Sequence, residues 1–112
     1  MPFDAITELS VEARVIDKAL EILGPNGENW VQGSLHYNGT YCMRGAIHSA
    51  RRRLHIRGDK TEDFIFNQFR DEYGDVGEPQ KRLIEDFNDA PWRIFSTIRS
   101  VMMNARHDAI NH

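Results

Sequence analysis

Apolar residues recur every three or four positions in several stretches of this chain, and this spacing places them on one face of an α-helix. The pattern predicts helices at 11–23, 43–55, 61–73, from about 79, and at 91–108. The last helix is expected to face the core with Ile94, Phe95, Ile98, Val101, Met102 and Ala105. The sequence therefore predicts a mainly α fold of four to five helices. One small β-hairpin near residues 30–42 makes it an α-rich α+β fold.

Several predicted helix ends carry residues that suit them. Ser10 is expected to be the N-cap of the first helix, with Leu9 as a hydrophobic staple before it. Gly24-Pro25 should end that helix, because glycine accepts a left-handed backbone and proline cannot continue a helix. Thr61 is expected to cap the third helix.

The hairpin is predicted from Asn38-Gly39, since a two-residue type I′ turn needs positive φ at both central positions and these residues reach it at low cost. The expected pairs are Tyr37 with Thr40, His36 with Tyr41, and Leu35 with Cys42. Alternation then assigns a core side to Val31, Gly33, Leu35, Tyr37 and Cys42, and the opposite side to Trp30, Gln32, Ser34, His36 and Tyr41. We expect the first set to be buried because it is the more apolar.

Composition limits the class of protein. The chain has 112 residues, 40% hydrophobic and 28% charged, which is ordinary for one globular domain spanning residues 1–112. We find no apolar run long enough to cross a bilayer and no signal-peptide pattern at the start. A single cysteine excludes an internal disulfide and fits a reducing compartment. These features predict a soluble cytoplasmic protein with no membrane partner.

Cys42 is the candidate catalytic residue, because a helix N-terminus favours the thiolate. With Gln32, a histidine, and Asn88 or Asp89 it could complete a Cys-His-Asn set with an oxyanion donor, as in papain-like hydrolases. The histidine spacing opposes this, since His48 lies six residues further along the helix, about 240° around its axis. We therefore favour a small buried thiol that fills the core.

A basic stripe on the second predicted helix is the candidate anion site; it comprises Arg44, His48, Arg51 and Arg52, and continues to His55. Arginine forks match phosphate oxygens, so the stripe could bind a polyanion or nucleic acid. The net charge of −3 and the absence of interleaved aromatic residues oppose that. The alternative is a solvated face, or a partner for acidic residues of the same chain: Glu62, Asp63, Asp71 and Glu72.

No metal or cofactor is expected, because there is no cysteine pair and no two histidines lie three or four apart on one helix. The run Phe87-Asn88-Asp89-Ala90-Pro91-Trp92-Arg93 offers other chemistry. Asn88 or Asp89 could cap the last helix, with Pro91 in its first turn. The same pair could instead hold the hairpin through Gln32 or backbone groups, or recognise a small polar ligand.

Three separated motifs carry a resemblance to a known family. They are Trp30-x-Gln32-Gly33, Cys42-x-x-Gly45-Ala46 and Phe87-Asn88-Asp89-x-Pro91-x-Arg93. In this order they resemble a family of small bacterial and phage proteins known only as a domain of unknown function. The resemblance implies one helical domain and marks as pattern positions Trp30, Gln32, Cys42, Gly45, Ala46, Asn88, Asp89 and Arg93. Trp92 departs from the pattern, where a small or variable residue is expected.

Small residues at Gly45-Ala46 should let another backbone approach closely, either the Asn88-Asp89 turn or the first helix. That would bring Cys42, Gln32 and the Asn88-Asp89 pair together.

The leading functional hypothesis is a non-enzymatic binding or interaction module with a binding site among Trp30, Gln32, Asn88, Asp89 and Arg93. A second apolar stripe on the last helix, formed by Trp92, Met103 and Ile110, predicts a homodimer. The alternatives are a thiol hydrolase or transferase built on Cys42, and polyanion binding by the basic stripe.

Overall fold

The computed structural model describes residues 10–74 and 76–111. Its elements in chain order are α1 (Val11–Leu23), β1 (His36–Tyr37), β2 (Thr40–Tyr41), α2 (Met43–Arg53), α3 (Thr61–Asn67), α4 (Lys81–Asp89) and α5 (Phe95–Ile110), with a 3₁₀ turn at Arg70–Tyr73. The predicted mainly α fold with one small hairpin is confirmed. Within the described ranges, no helix is long and apolar enough to cross a membrane.

The ends of α1 follow from local chemistry as predicted. The Ser10 side chain accepts a hydrogen bond from the backbone N–H of Ala13 at 3.0 Å, which satisfies one of the free donors of the first turn. Gly24 ends the helix with φ 89°, a backbone conformation that residues with a Cβ rarely adopt. The proposed staple residue Leu9 lies outside the described residues.

The core lies where the apolar faces of the helices meet. Helix α1 packs against α2 and α5, and α4 packs against α3 and α2. The largest fully buried apolar side chains come from all five helices: Ile16, Leu23, Met43, Ile47, Ile65, Phe66, Ile84, Phe87, Ile98 and Met102. Burial of these side chains is the main stabilising contribution to the fold.

The segment predicted as one helix at 61–73 is divided in two. Helix α3 ends at Asn67, and the 3₁₀ turn then leads to Gly74, which has φ 75°. The predicted Thr61 cap is wrong, because Thr61 is the first helical residue and its backbone N–H donates to Asp59 Oδ1 at 3.1 Å. The carboxylate of Asp59 therefore supplies the acceptor expected of Thr61.

The last helix begins later than predicted, at Phe95 rather than Pro91. Asn88 and Asp89 are the final residues of α4 and do not cap α5. A turn closed by a 2.9 Å hydrogen bond from the backbone N–H of Arg93 to the Ala90 carbonyl separates the two helices. Ile94, predicted to face the core, is therefore 60% exposed as the first residue before α5.

The hairpin has the predicted register and Cys42 is buried as predicted, but several of the other side assignments are wrong. His36 pairs with Tyr41 and Tyr37 with Thr40. Leu35 and Tyr37, assigned to the core, are exposed, whereas Trp30 and Tyr41, assigned to the other side, pack against the core. The strands contain only two residues each, and Gly33 has φ 86°, so the alternation of an extended strand is broken before it reaches residues 30–33.

Candidate functional site

Asn88 is a fully buried polar residue at the centre of the family motifs. Its Oδ1 accepts hydrogen bonds from the indole Nε1 of Trp30 at 2.7 Å and from the backbone N–H of Met43 at 3.0 Å. Its Nδ2 donates to the Val31 carbonyl at 3.1 Å and to Asp89 Oδ1 at 2.9 Å. These four bonds use both donors and both acceptor positions of the amide, so the buried side chain is fully satisfied.

Gln32 and Gly33 extend this cluster. Gln32 Nε2 donates to the carbonyls of Asn88 and Ala90 at 2.9 and 2.8 Å, and the backbone N–H of Gly33 donates to Asp89 Oδ1 at 2.9 Å. Helix carbonyls near a C-terminus lack partners within the helix, so Gln32 satisfies the end of α4. We call Trp30, Gln32, Gly33, Met43, Asn88 and Asp89 the Asn88 network.

The Asn88 network joins three parts of the chain: the segment before the hairpin, the start of α2 and the end of α4. Of the roles predicted for Asn88-Asp89, helix capping is wrong. The structure shows the pair holding the hairpin segment through Gln32 and backbone groups. The sequence analysis did not predict the contribution of Met43, because Met43 donates through its backbone N–H, a group that almost every residue type carries.

Gly45 permits a close approach, but not of the predicted segment. A Cβ built on Gly45 would lie 1.8 Å from the Leu35 carbonyl oxygen, far inside contact distance. That same carbonyl accepts a hydrogen bond from the backbone N–H of Cys42 at 3.2 Å. The approaching backbone therefore belongs to the hairpin, rather than to α1 or the Asn88-Asp89 turn.

Cys42 is buried at the N-cap of α2, where its Sγ accepts a hydrogen bond from the backbone N–H of Gly45 at 3.3 Å. Burial raises the pKa of the thiol, outweighing the hydrogen bonds from Gly45 and Arg44, and the nearby charge of Asp89 adds to the increase. No hydrogen bond joins Cys42 to a histidine in the part of the chain that the structure describes. The nucleophile hypothesis thus has neither a lowered pKa nor a base in support.

This burial predicts slow chemistry at the thiol. We expect iodoacetamide at neutral pH to label native protein at least tenfold more slowly than protein unfolded in urea, because the thiolate is both rare and shielded. Mass spectrometry over a time course measures the two rates. Equal rates before and after unfolding would contradict a buried thiol and restore Cys42 as a reactive residue.

The basic stripe is largely engaged with acidic residues of the same chain. Arg51 Nε and Nη2 lie 2.5 and 2.8 Å from the two oxygens of Asp59, and Nη2 and Nη1 lie 2.6 and 3.1 Å from those of Glu62. His48 Nε2 is 3.6 Å from Glu62 Oε2. Arg44 forms an ion pair with Glu85.

Arg52 and His55 are the exposed members of the stripe, and neither has a side-chain partner in residues 10–74 or 76–111. Of the acidic partners suggested from sequence, only Glu62 contacts the stripe in these described ranges. Such pairing leaves a polyanion little free charge to bind. Anion binding by the stripe stays a prediction.

Glu62 has a pKa set by opposing effects. Burial alone would raise it, but hydrogen bonds from His48 and Arg51 and the charge of Arg51 lower the pKa to about 2. The pKa of Asp59 is also lowered, because hydrogen bonds from Arg51 and Thr61 outweigh its burial. Both carboxylates are therefore charged in the folded protein well below the pH at which they protonate in an unfolded chain.

Acid should weaken the fold through these carboxylates. The ordinary pKa of Glu62 is 4.5 and its folded value is about 2, so its contribution is complete above pH 4.5 and is lost as the pH falls toward 2. We expect the free energy of unfolding to drop by about 3 kcal/mol over this range from Glu62. Urea unfolding at a series of pH values measures it. Glu62→Gln should flatten the pH dependence, whereas the exposed control Glu78→Gln should leave it unchanged.

A cleft of about 330 Å³ lies between the Arg70–Tyr73 turn and α5. We call it the Arg93 cleft; it is lined by Gln68, Phe69, Asp71, Glu72, Phe87, Arg93, Thr97 and Val101. Phe69 and Phe87 stack with ring centroids 4.1 Å apart, and the Arg93 guanidinium lies 3.6 Å above the Phe87 ring. The cleft thus combines an apolar floor with a polar rim, the usual composition of a ligand site.

Arg93 is held in this cleft by several contacts. Its side chain is only 8% exposed. Nε donates to the Phe87 carbonyl at 2.8 Å, and Nη2 donates to Glu72 Oε2 at 2.8 Å. Of the five predicted binding residues, Arg93 alone lines this cleft, whereas Trp30, Gln32, Asn88 and Asp89 belong to the Asn88 network.

A second depression of about 500 Å³ lies beside the start of α5, lined by Pro25, Asn26, Phe95, Ser96 and Arg99. It contains no buried charged side chain. No group of three or more potential metal ligands occurs among the residues that the structure describes.

The residues of the predicted dimer surface are all exposed, but they do not form one stripe. Met103 and Ile110 lie two turns apart on the exposed side of α5. Trp92, which is 73% exposed, precedes this helix and lies in the turn after α4. The predicted continuous stripe is therefore wrong at Trp92, since the helix does not extend back to that residue.

Comparison with known proteins identifies a family and nothing more specific. No curated protein and no solved structure matches the chain. Residues 10–108 match the model described as Family of unknown function (DUF6197). This range includes the Asn88 network and the Arg93 cleft, and the chain belongs to that family.

Proposed function

We propose that this protein is a non-enzymatic binding module and that the Arg93 cleft is its ligand site. One observation carries the proposal: the Arg93 side chain is nine-tenths buried and fixed by three contacts at the wall of a cleft, and its Nη1 has no hydrogen-bond partner among the described residues. A donor fixed before the ligand arrives loses little conformational entropy on binding, which favours affinity. The lone cysteine fits a reducing compartment, so the proposal includes a cytoplasmic location.

The other suggested sites support a structural role better than a binding role. The polar groups of Asn88 are used within the fold, and the basic stripe is mostly paired. Cys42 is buried and its pKa is raised. These features favour binding over thiol catalysis and over polyanion recognition.

Ligand binding can be tested by NMR without knowing the ligand. We expect a panel of amino acids, organic acids, amines and nucleosides to contain compounds that shift the amide resonances of Gln68, Asp71 and Thr97. Thr97→Tyr should fill the cleft and abolish these shifts. The matched control Ser100→Tyr, one turn further along the exposed side of α5, should retain them.

A panel that shifts no resonance of the cleft would overturn the proposal. Shifts confined to the depression beside Ser96 and Arg99 would also do so, because they would place the ligand elsewhere. Thermal melts of both tyrosine variants show whether the fold survives the substitutions.

Self-association is a second candidate function, favoured by the exposed apolar side chains of Trp92, Met103 and Ile110. If these surfaces pair two copies, the wild type should sediment as a dimer at tens of micromolar, and Met103→Glu should sediment as a monomer because it buries a charge in the interface. The adjacent exposed residue provides a control, Asn104→Glu, which should stay dimeric. A monomeric wild type would rule the dimer out.

A further inference from the structure

We infer that the Arg93 cleft takes a free α-amino acid with an apolar side chain. This inference rests on the proposed function and assigns its ligand class. The cleft offers three kinds of surface: hydrogen-bond donors, carboxylates and an apolar floor. An amino acid carries the complement of each.

The donors suit a carboxylate. Arg93 binds its neighbours through Nε and Nη2, and its Nη1 has no hydrogen-bond partner among the described residues. Thr97 also lines the cleft, and its hydroxyl has no partner in the same ranges. A ligand carboxylate would accept from both, and charge assistance from the guanidinium strengthens the bond.

The carboxylates suit an ammonium group. Asp71 is exposed at the rim and makes no side-chain ion pair within the part of the chain that the structure describes. Glu72 accepts the Arg93 bond through Oε2, which leaves Oε1 available to a ligand. Two acidic side chains against one arginine give the lining a net negative charge, which disfavours a simple anion.

The charge balance separates an amino acid from simpler ligands. A plain amine would leave the Arg93 and Thr97 donors unused, and a plain carboxylate would meet the repulsion of Asp71 and Glu72. A zwitterion uses both sets and carries no net charge. Its side chain would lie against Val101 and the small exposed part of Phe69, because the Phe87 ring is only 2% exposed and is covered by Phe69 and Arg93.

The cleft volume sets the ligand size. About 330 Å³ lies at the lower end of the range for ligand pockets, roughly 300–1,000 Å³. A single amino acid suits such a space better than a nucleotide or a folded partner. The aromatic and aliphatic floor favours leucine, isoleucine, methionine or phenylalanine over polar amino acids.

NMR titration with three related compounds tests the assignment. Leucine carries both charges, leucinamide lacks the carboxylate, and N-acetylleucine lacks the ammonium. We expect leucine to bind in the cleft and each modified compound to bind about tenfold or more weakly, because each leaves charged groups of the cleft unpaired.

Two variants identify the groups involved. Thr97→Val should weaken the binding of leucine more than that of leucinamide, because a neutral carboxamide oxygen accepts a weaker hydrogen bond than a carboxylate does. Asp71→Asn should weaken the binding of leucine but not that of N-acetylleucine. This pairing of variant and ligand would not arise from a general loss of structure. Ser100→Ala and Asp63→Asn make the same chemical changes away from the cleft and should leave leucine binding unchanged.

The outcomes separate this inference from the proposed function. Equal binding of leucine and leucinamide would overturn the inference in favour of a cation site. Failure of all the apolar amino acids while other panel compounds bind the cleft would overturn the inference and leave the proposed function standing. Failure of every compound at the cleft would overturn both.

Discussion

Replacing Asn88 with alanine should lower the free energy of unfolding by roughly 3–5 kcal/mol, the largest effect we expect from a single polar substitution. The change removes four hydrogen bonds from a fully buried position. It leaves the Trp30 indole N–H and the Met43 backbone N–H without their acceptor, and each buried unsatisfied group costs about 1–3 kcal/mol. Urea unfolding followed by circular dichroism measures the loss.

Two further substitutions separate the Asn88 network from a general effect of residue type. Asn104→Ala changes an exposed asparagine of α5 and should alter stability by less than about 0.5 kcal/mol. Trp30→Phe keeps most of the aromatic packing but removes the indole donor, and should cost about 1 kcal/mol. An Asn88→Ala variant as stable as Asn104→Ala would show that the network contributes little to the fold.

Gly45→Ala should destabilise the protein by roughly 2–4 kcal/mol, although alanine is the better helix former by about 1 kcal/mol. The added Cβ would lie 1.8 Å from the Leu35 carbonyl oxygen, so the hairpin and α2 must separate. The obstacle is backbone, which cannot move aside as a flexible side chain can. Thermal and urea unfolding both report the change.

The sign of the stability change in Gly45→Ala tests the contact between Leu35 and α2. Arg52→Ala lies on the exposed face of the same helix and should be neutral or slightly stabilising. If Gly45→Ala also stabilised the protein, the contact between Leu35 and α2 would be looser than the structure shows. In that case the crystal structure or the NMR spectrum of Gly45→Ala should show the hairpin and α2 in the same positions as in the wild type.

Much of the secondary structure could be predicted because it depends on neighbours in the chain. The limits of α1 follow from Ser10 and Gly24, and the hairpin register follows from Asn38-Gly39. Each of these features is decided by a side chain or backbone preference that acts over a few residues. Helical periodicity likewise identified the buried faces that build most of the core.

Predictions failed where a long-range contact replaced the local preference. Asn88 and Asp89 have the chemistry of helix caps, yet they bond Trp30 and Gly33 more than fifty residues away. The later start of α5 and the exposure of Ile94 accompany this arrangement. The sides of the hairpin were also misassigned, because strands of two residues carry too little alternation to orient residues 30–33.

The two candidate sites differ in the same way in how far the sequence predicted them. The three motifs pointed to residues that do meet in space, including Gln32 and Asn88. Of the residues that line the Arg93 cleft, only Phe87 and Arg93 belong to the motifs. Glu72 and Thr97 come from the Arg70–Tyr73 turn and α5, and nothing in the sequence indicates that these two segments meet.

The amino-acid sequence by itself determined the helical class, most helix positions, the hairpin turn and the polar residues worth following, because these depend on spacing and on short-range chemistry. Tertiary structure alone decided that Asn88 is enclosed by the hairpin and α2, and that Arg93 is fixed between Phe87 and Glu72 at the wall of a cleft. A hydrogen bond between residues distant in the chain depends on how whole helices pack, and packing is a property of all the apolar faces together.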